Sequence, residues 1–394
     1  MNLKCSINNC TGCMSCYNSC PQNAIDMVEN EEGFFYPNIN QEKCINCNLC
    51  NTNCPEAERK SSSARKEKPT VYACWSKDES IRLASTSGGL GHTLAKFFIE
   101  NEGEVYGAAF NEDMAVQHIC VENIEDLKRI QGSKYVQSKI GDCFKKIKNE
   151  LDLGKEVLFV GTPCQVNGLN YFLKKKYPNL LTCDFVCHGV PSPLVFKRWK
   201  EYLENKYSSK MRHYYFRDKK TGWNIFNEKA VFENGKTYEK NNLSDPYLRG
   251  FLRELFLRKS CHSCQYTSVQ RCSDITLADF WGYIPKTSAE KDYDEGVSMV
   301  LINTEKGEQY FEKVKDKIIY FPRSLEEAVR GNRSLREPFP ESPKRKEFWL
   351  DFQNKDFEDL RKTYMYPEKL TLREKIIIFL GRKKVKQLKI LLKR

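Results

Sequence analysis

The chain has 394 residues, with 64 Lys and Arg against 52 Asp and Glu, a formal net charge of +12, and 18 Cys but only 5 His. That length buries a core across two or three domains, and 40% hydrophobic with 29% charged residues excludes a disordered or fibrous chain. The longest purely aliphatic or aromatic run, Ile376 to Leu380, is too short to cross a bilayer, and Met1 to Cys5 shows no apolar signal-peptide core.

Without a signal-peptide core the chain is expected to be cytoplasmic, and this many cysteines then point away from disulfides and towards metal or redox chemistry. Eight of them fall in two copies of one pattern. The first is Cys10-Thr-Gly-Cys13-Met-Ser-Cys16-Tyr-Asn-Ser-Cys20-Pro21, and the second is Cys44-Ile-Asn-Cys47-Asn-Leu-Cys50-Asn-Thr-Asn-Cys54-Pro55. Each reads C-x2-C-x2-C-x3-C-P, the bacterial run that holds a [4Fe-4S] cluster. Three thiolates on one tight loop take three iron corners, and the fourth, turned away by its Pro, reaches the cluster of the other half. Cys10, Cys13, Cys16 and Cys54 are therefore assigned to one cluster, and Cys44, Cys47, Cys50 and Cys20 to the other. Zinc is the rival, but zinc sites use two C-x2-C pairs and need neither a triple run nor the Pro.

Residues 1–58 thus read as a bacterial-ferredoxin-like 2[4Fe-4S] module. Arg59 to Pro69 is polar, small and charged, without apolar periodicity, and is expected to be a linker. From Val71 the pattern alternates strands and helices, a mixed α/β (α+β) body over 70–340, with a first part at 70–150 and a second at 151–340. Val105–Phe110, Val157–Val160 and Leu181–Val186 suit buried strands. Gly91 to Glu100, Ser138 to Leu153 and Gln165 to Lys175 read as helices, and another surrounds Phe251 to Leu257. No Walker A sequence, G-x-G-x-x-G or H-E-x-x-H occurs. The turn Ser87-Gly88-Gly89-Leu90-Gly91 opens a helix. Its backbone N–H groups could hold a phosphate, or it could simply be a cap with glycines for close packing.

Ten cysteines remain. Cys164 follows a strand in Gly161-Thr-Pro-Cys-Gln165, and Cys187 holds the equivalent place after the next strand, in Cys187-His-Gly-Val-Pro-Ser192. Turns at strand C-termini are where α/β sites form. With the Cys261/Cys264 pair they make four thiolates, enough for a third [4Fe-4S] cluster; a structural zinc or unpaired core cysteines are the alternatives. Cys272 could replace one loop cysteine. Cys183 should face away from Cys187, and Cys74, Cys120 and Cys143 read as small buried apolar residues. His188 is a weak candidate proton donor, since a His in a turn is more often simply hydrogen-bonded.

Six motifs occur in order: Ser85-Thr-Ser-Gly-Gly-Leu90, Glu104-Val-Tyr-Gly-Ala-Ala-Phe110, Gly132-Ser-Lys-Tyr-Val-Gln-Ser138, Gly161-Thr-Pro-Cys-Gln-Val166, Val186-Cys-His-Gly-Val-Pro-Ser192 and Asp274-Ile-Thr-Leu-Ala-Asp-Phe-Trp-Gly282. Together they resemble the family of coenzyme F420 hydrogenase/dehydrogenase beta subunits over roughly residues 70 to 340. The resemblance implies an FAD-binding domain beside a [4Fe-4S] cluster, with Cys164, Cys187, Cys261 and Cys264 as ligands. It places Ser87, Gly88 and Gly89 at the cofactor's phosphates, and Lys134 and Tyr135 near the flavin. Thr162 and Gln165 would line the pocket, with Asp279 and Phe280 as weaker candidates; Lys134 is also a weak catalytic candidate. The implied activity is an iron–sulfur flavoprotein oxidoreductase. A ferredoxin-like donor feeds the clusters, and FAD carries out two-electron chemistry on a small organic substrate, in surface-polysaccharide biosynthesis or coenzyme F420 redox. The alternative is an electron-transfer subunit with no substrate of its own.

The tail, 341–394, is expected to be helical and basic. From Arg361 to Arg394 there are 12 Lys and Arg and 2 Glu. Interleaved with apolar residues, these charges fit a helix lying on the inner, anionic face of a membrane, or packing of the apolar run on the body. The tail carries +10, so residues 1 to 360 hold only +2, and residues 1 to 60 hold −3 before any cluster. Nucleic acid is not an expected partner. The pattern is an acidic electron-input module, a nearly neutral body and a basic tail.

Overall fold

A computed structural model of the chain describes residues 2–57, 68–290 and 293–366, and the single positions 369, 372 and 375. Residues 59–67 of the linker and most of the tail beyond Tyr366, with its expected membrane contact, lie outside the described residues. Among the described residues no helix is long and apolar enough to cross a membrane.

The N-terminal module repeats one design twice. Gly12 and Met14 in the first cysteine loop, and Asn46 and Asn48 in the second, all have left-handed backbone (φ 69°, 61°, 57° and 63°). Left-handed residues placed alternately curl the chain so that successive N–H groups converge on one point, which suits a negatively charged group. Each loop runs into a short helix, Ser15–Ser19 or Leu49–Thr52. Strands β1 (Ile25–Glu29) and β2 (Phe35–Ile39) pair antiparallel between the two copies.

The body is built on an eight-stranded sheet. Its strands are β3 (Thr70–Ser76), β4 (Glu104–Phe110), β5 (Val116–Val121), β6 (Val157–Gly161), β7 (Leu180–Phe185), β11 (Ile275–Asp279), β12 (Ser298–Ile302) and β13 (Ile318–Arg323), in the order β13-β3-β12-β11-β7-β6-β4-β5. Strands β4, β6, β7 and β11 run parallel. Strand β12 is antiparallel to both β11 and β3, so β3 again runs with the parallel set. Alternation along the strands fills two layers. Val300 and Ile302 of β12 pack with Leu158, Leu181 and the helix Leu90–Glu100, whereas Met299 and Leu301 pack with Trp75 and Phe280 on the other face. On that second face, Phe159 of β6 meets the helices Cys143–Asp152 and Pro163–Leu173, and Met14 from the N-terminal module joins them.

The predicted helix from Ser138 begins only at Cys143, because Gly141 is left-handed (φ 58°). The helix expected around Phe251 to Leu257 is Pro246–Phe251 instead. The chain then turns through left-handed Glu254 and reaches the cysteine pair in a 3-10 turn, Lys259–Ser263.

A three-stranded sheet of β8 (Met211–Asp218), β9 (Asn227–Phe232) and β10 (Thr237–Asn241) packs with helix Pro193–Tyr207 as a separate aromatic core. Helices Arg345–Asn354 and Phe357–Tyr364 bring Phe348, Phe352, Leu360 and Met365 into that same core. The first described part of the expected tail is therefore packed on the body.

Candidate metal centres

In the N-terminal module, the C-x2-C-x2-C loops do not keep their fourth cysteines to themselves. Cys10, Cys13 and Cys16 line one cavity of about 140 Å³ together with Cys54 from the second run. Cys44, Cys47 and Cys50 line another with Cys20 from the first run. The helices Ser15–Ser19 and Leu49–Thr52 lie against each other and carry each Cys-Pro across.

The thiols are crowded. Burial pushes Cys13 and Cys16 up, reinforced by neighbouring sulfurs. Cys5, to which the spacing assigns no role, reaches into the first cavity. A hydrogen bond from Cys5 holds Cys10 down to about 6 and Cys54 below its usual range. Sulfur ligands bind metal as thiolates, so a set this close is compatible with ionisation only around a cation. The donor set fits a cubane cluster.

A third thiol set forms in the body. Cys164 opens the helix Pro163–Leu173 at the C-terminal end of β6. Cys187 follows β7, and Cys261 and Cys264 sit in and just after the 3-10 turn. Burial raises Cys164 and Cys264 to about 12 and Cys261 to about 11. Cys187 lies higher still, pushed up by burial and then by Cys261, Cys164 and Cys264 together. Four residues from three separate stretches thus converge. Cys272 is not one of them: its sulfur donates to the Pro163 carbonyl at 3.1 Å. Cys183 and Cys74 sit in the core and Cys143 is buried, but Cys120 is only half-buried, 3.4 Å from the Glu104 carboxylate.

Two charged residues between the first and third thiol sets escape a reading of the motifs. Arg258 is fully buried. Its Nε donates to the Cys10 carbonyl at 2.7 Å, one terminal nitrogen reaches Gln137 Oε1 at 3.0 Å, and the other reaches the Phe35 carbonyl at 3.1 Å and Cys10 Sγ at 3.6 Å. Glu56 accepts from Gln265 Nε2 and the Tyr266 hydroxyl, both at 2.8 Å. An Arg three residues before a C-x2-C pair, directly after Phe256-Leu257, was the one available signal.

The residues expected around a flavin gather at the carboxyl edge of the parallel strands. The Ser87–Gly89 turn folds onto the end of β3, where Ser76 N–H donates to the Gly88 carbonyl at 2.8 Å. The Gly132–Lys134 loop reaches it through Ser133 N–H and Thr86 Oγ1 at 2.8 Å. Their side chains, however, are spent within the protein. The Ser87 hydroxyl donates to the Val297 carbonyl at 2.6 Å, and Gly88 N–H to Ser298 Oγ at 3.0 Å. Lys134 Nζ is held by the carbonyls of Arg129, Gln131 and Gly132, and burial lowers it to about 7. Thr162 and Gln165 form a capping box, with Gln165 Nε2 on Ser138. Tyr135 accepts from Arg217 at 3.3 Å; Asp279 pairs with Arg217 at 3.1 Å and takes the Trp223 indole N–H at 2.5 Å. Phe280 is core. These side chains all have partners within the protein, and the first-turn N–H groups of helix Leu90–Glu100, opening on the same edge, are suited to a phosphate. His188 stacks on Phe339 at 3.7 Å with Nε2 3.2 Å from Glu254, an arrangement that holds the ring rather than offering a proton.

Comparison with known proteins matches residues 9–57 to the 4Fe-4S dicluster domain, and residues 154–326 to the family described as the C terminus of the coenzyme F420 hydrogenase/dehydrogenase beta subunit. The second part of the body is similar to that family. The chain is 21% identical over 324 residues to the F subunit of the F(420)H(2) dehydrogenase of Methanosarcina mazei, covering 78% of this chain and 83% of that protein. A chain of the xenon-derivatised F420-reducing [NiFe] hydrogenase complex from Methanosarcina barkeri is similar at 16% identity and a TM-score of 0.43, over 72% of this chain and 99% of that one. The chain thus joins a 4Fe-4S dicluster domain, which contains all eight cysteines of the repeat, to a body similar to the F420 hydrogenase/dehydrogenase beta subunit.

Proposed function

We propose that the protein is an iron–sulfur oxidoreductase subunit whose three thiol sets form a line of electron carriers. Cys20, Cys44, Cys47 and Cys50 hold the outer [4Fe-4S] cluster, and Cys47 is exposed to solvent, where a redox protein such as a ferredoxin meets it. Cys10, Cys13, Cys16 and Cys54 hold the middle one. Cys164, Cys187, Cys261 and Cys264 hold the inner one, at the carboxyl edge of the sheet. When bound, the clusters pass single electrons and a flavin pairs them for two-electron chemistry. The chain's part is to place the sets in sequence, exclude water from the inner two and supply the charges that set their potentials. The observation that carries this reading is the convergence of the four separated body cysteines on one point beside the docked module.

An FAD at the carboxyl edge, and reduction of an organic substrate or coenzyme F420 there, is the further part of the proposal. It is supported by the motif resemblance and by the open first turn of helix Leu90–Glu100. No proton or hydride step is assigned, because Lys134 and His188 are both engaged elsewhere. A relay subunit without its own substrate is the second reading, favoured by the internally satisfied side chains at that edge.

Anaerobic purification with iron, sulfide and flavin measured together separates the two. About twelve iron per chain with one flavin supports the oxidoreductase, and about twelve without flavin supports the relay. About eight iron overturns the inner cluster.

A further inference from the structure

The contact between module and body is built around one cation. Arg258 is fully buried and bonded on three sides, to the Cys10 carbonyl, Gln137 Oε1 and the Phe35 carbonyl. Its guanidinium lies 4.1 Å from the Tyr36 ring centroid and 3.6 Å from Cys10 Sγ. Its own carbonyl accepts from Cys261 N–H at 2.9 Å, fixing the start of the cysteine pair. One residue thus touches a ligand of the middle set through its side chain and the first cysteine of the inner pair through its backbone. The module packs closely on it: a Cβ on Gly12 would stand 3.0 Å from the Arg258 guanidinium and 2.9 Å from Gln137 Nε2.

We propose that Arg258 is a shared positioning charge for the middle and inner clusters, raising both potentials together so that an electron crosses between them without a steep step. The inference rests on the three-cluster reading above. Each oxidised cluster with four thiolates carries a net charge of about −2, and each reduction adds one more negative charge. A buried cation whose hydrogen bonds go to carbonyls, an amide and a sulfur favours the reduced form of whichever cluster is near it, and here it is near two. Transfer moves one electron from one cluster to the other, with no proton and no further reactant. Arg suits the position better than Lys because its fork satisfies three acceptors at once, whereas Lys supplies the charge without the fork. The outer set, around Cys47, lies outside this contact and should not feel the charge.

The test is a potentiometric titration of the full chain, purified anaerobically, followed by EPR, for the wild type, Arg258→Lys and Arg258→Gln. Iron per chain is measured first. Arg258→Gln is expected to shift the midpoints of the middle and inner clusters downward, leave that of the outer cluster in place, and slow inner-cluster reduction at least tenfold when electrons enter from the module. Arg258→Lys is expected to recover most of the midpoint shift. Unmoved midpoints in Arg258→Gln with full iron would overturn the proposal, as would a shift of one cluster alone or no recovery in Arg258→Lys. If the wild type holds only eight iron, it is the three-cluster reading that fails, a result distinct from unmoved potentials in a twelve-iron protein. Should Arg258→Gln lose iron, Arg258→Lys decides alone: a charge role keeps its midpoints near wild type, and a purely structural one does not.

Discussion

Gly168 lies against Cys13: a Cβ placed on the glycine would stand 2.9 Å from the Cys13 Cβ and 3.0 Å from its sulfur. Gly168 is one helical turn beyond Cys164, about 6 Å along the axis, so the helix that begins at the inner thiol set presses its backbone onto the middle one. Alanine in a helix interior ordinarily gains about 1 kcal/mol over glycine. Here the added methyl has no room. Gly168→Ala should lower thermal stability despite its better helix propensity, and Gly168→Leu should separate the module from the body. Limited proteolysis of the 58–67 stretch and iron content of the purified protein read this out; an unchanged melt and full iron in Gly168→Leu would contradict it.

The crossed cysteine sets make a prediction that simple pairing by sequence would get backwards. Cys20 belongs to the first run but shares a cavity with Cys44, Cys47 and Cys50. Cys20→Ser should therefore disturb the cluster on the second run, and Cys54→Ser the cluster on the first. Because Cys5 touches the Cys10 and Cys54 sulfurs, Cys54→Ser is also the variant most open to rescue by a fifth thiol. The double variant Cys5→Ser/Cys54→Ser should lose more iron than Cys54→Ser alone, as measured by iron and sulfide analysis.

Much of this was legible in the cysteine spacing. The eight-cysteine repeat identifies both clusters and their crossing, since each Cys-Pro cannot turn back onto its own loop. Short apolar runs located β4, β6 and β7 to within a residue or two, because buried parallel strands carry unbroken apolar sequence. The body cysteines were harder. Cys164 and Cys187 are isolated, and only the turns after β6 and β7 marked them. The internal partners of the side chains expected at a flavin were hidden for another reason. Ser87, Thr162 and Gln165 are the residue types that bind phosphate, and they are also the types that satisfy a helix start. Sequence does not reveal that Val297 and Ser138 are within reach. Arg258 and Glu56 were missed because a buried charge looks like any surface charge until its neighbours are known.

Asp279 has a role that follows from its partners. Arg217 is buried, lies 3.9 Å from the Phe226 ring centroid and has Asp279 as its carboxylate partner; the same carboxylate takes the Trp223 indole N–H. Removing the acid leaves a buried cation uncompensated, which costs about 3–5 kcal/mol. Asp279→Ala should reduce the unfolding free energy by that order in a denaturant titration. If the group instead served only a bound cofactor, the cofactor-free variant would be as stable as wild type.

His118 predicts how the fold responds to acid. It sits on β5, buried, with its ring 5.4 Å from that of Phe159 and nearly parallel. Its Nε2 lies 3.0 Å from the Val160 carbonyl, so this nitrogen carries the proton. Its Nδ1 is buried without a hydrogen-bond partner among the described residues. Protonating that second nitrogen would place a charge in the core, and burial accordingly depresses the group to about 4. An unfolded chain binds this proton at about 6.5, so between about 6.5 and 4 the unfolded state holds more protons than the native one. Stability is therefore unaffected by His118 above about pH 7 and falls as the pH drops through that window, by about 3 kcal/mol when it is fully crossed. His118→Gln keeps a donor for the Val160 carbonyl but cannot titrate. Its unfolding free energy should be lower than wild type at pH 7.5, yet flatter between pH 6.5 and 4.5, so that the two curves converge in acid. Parallel curves would mean that the native imidazole takes up its proton as readily as the unfolded one.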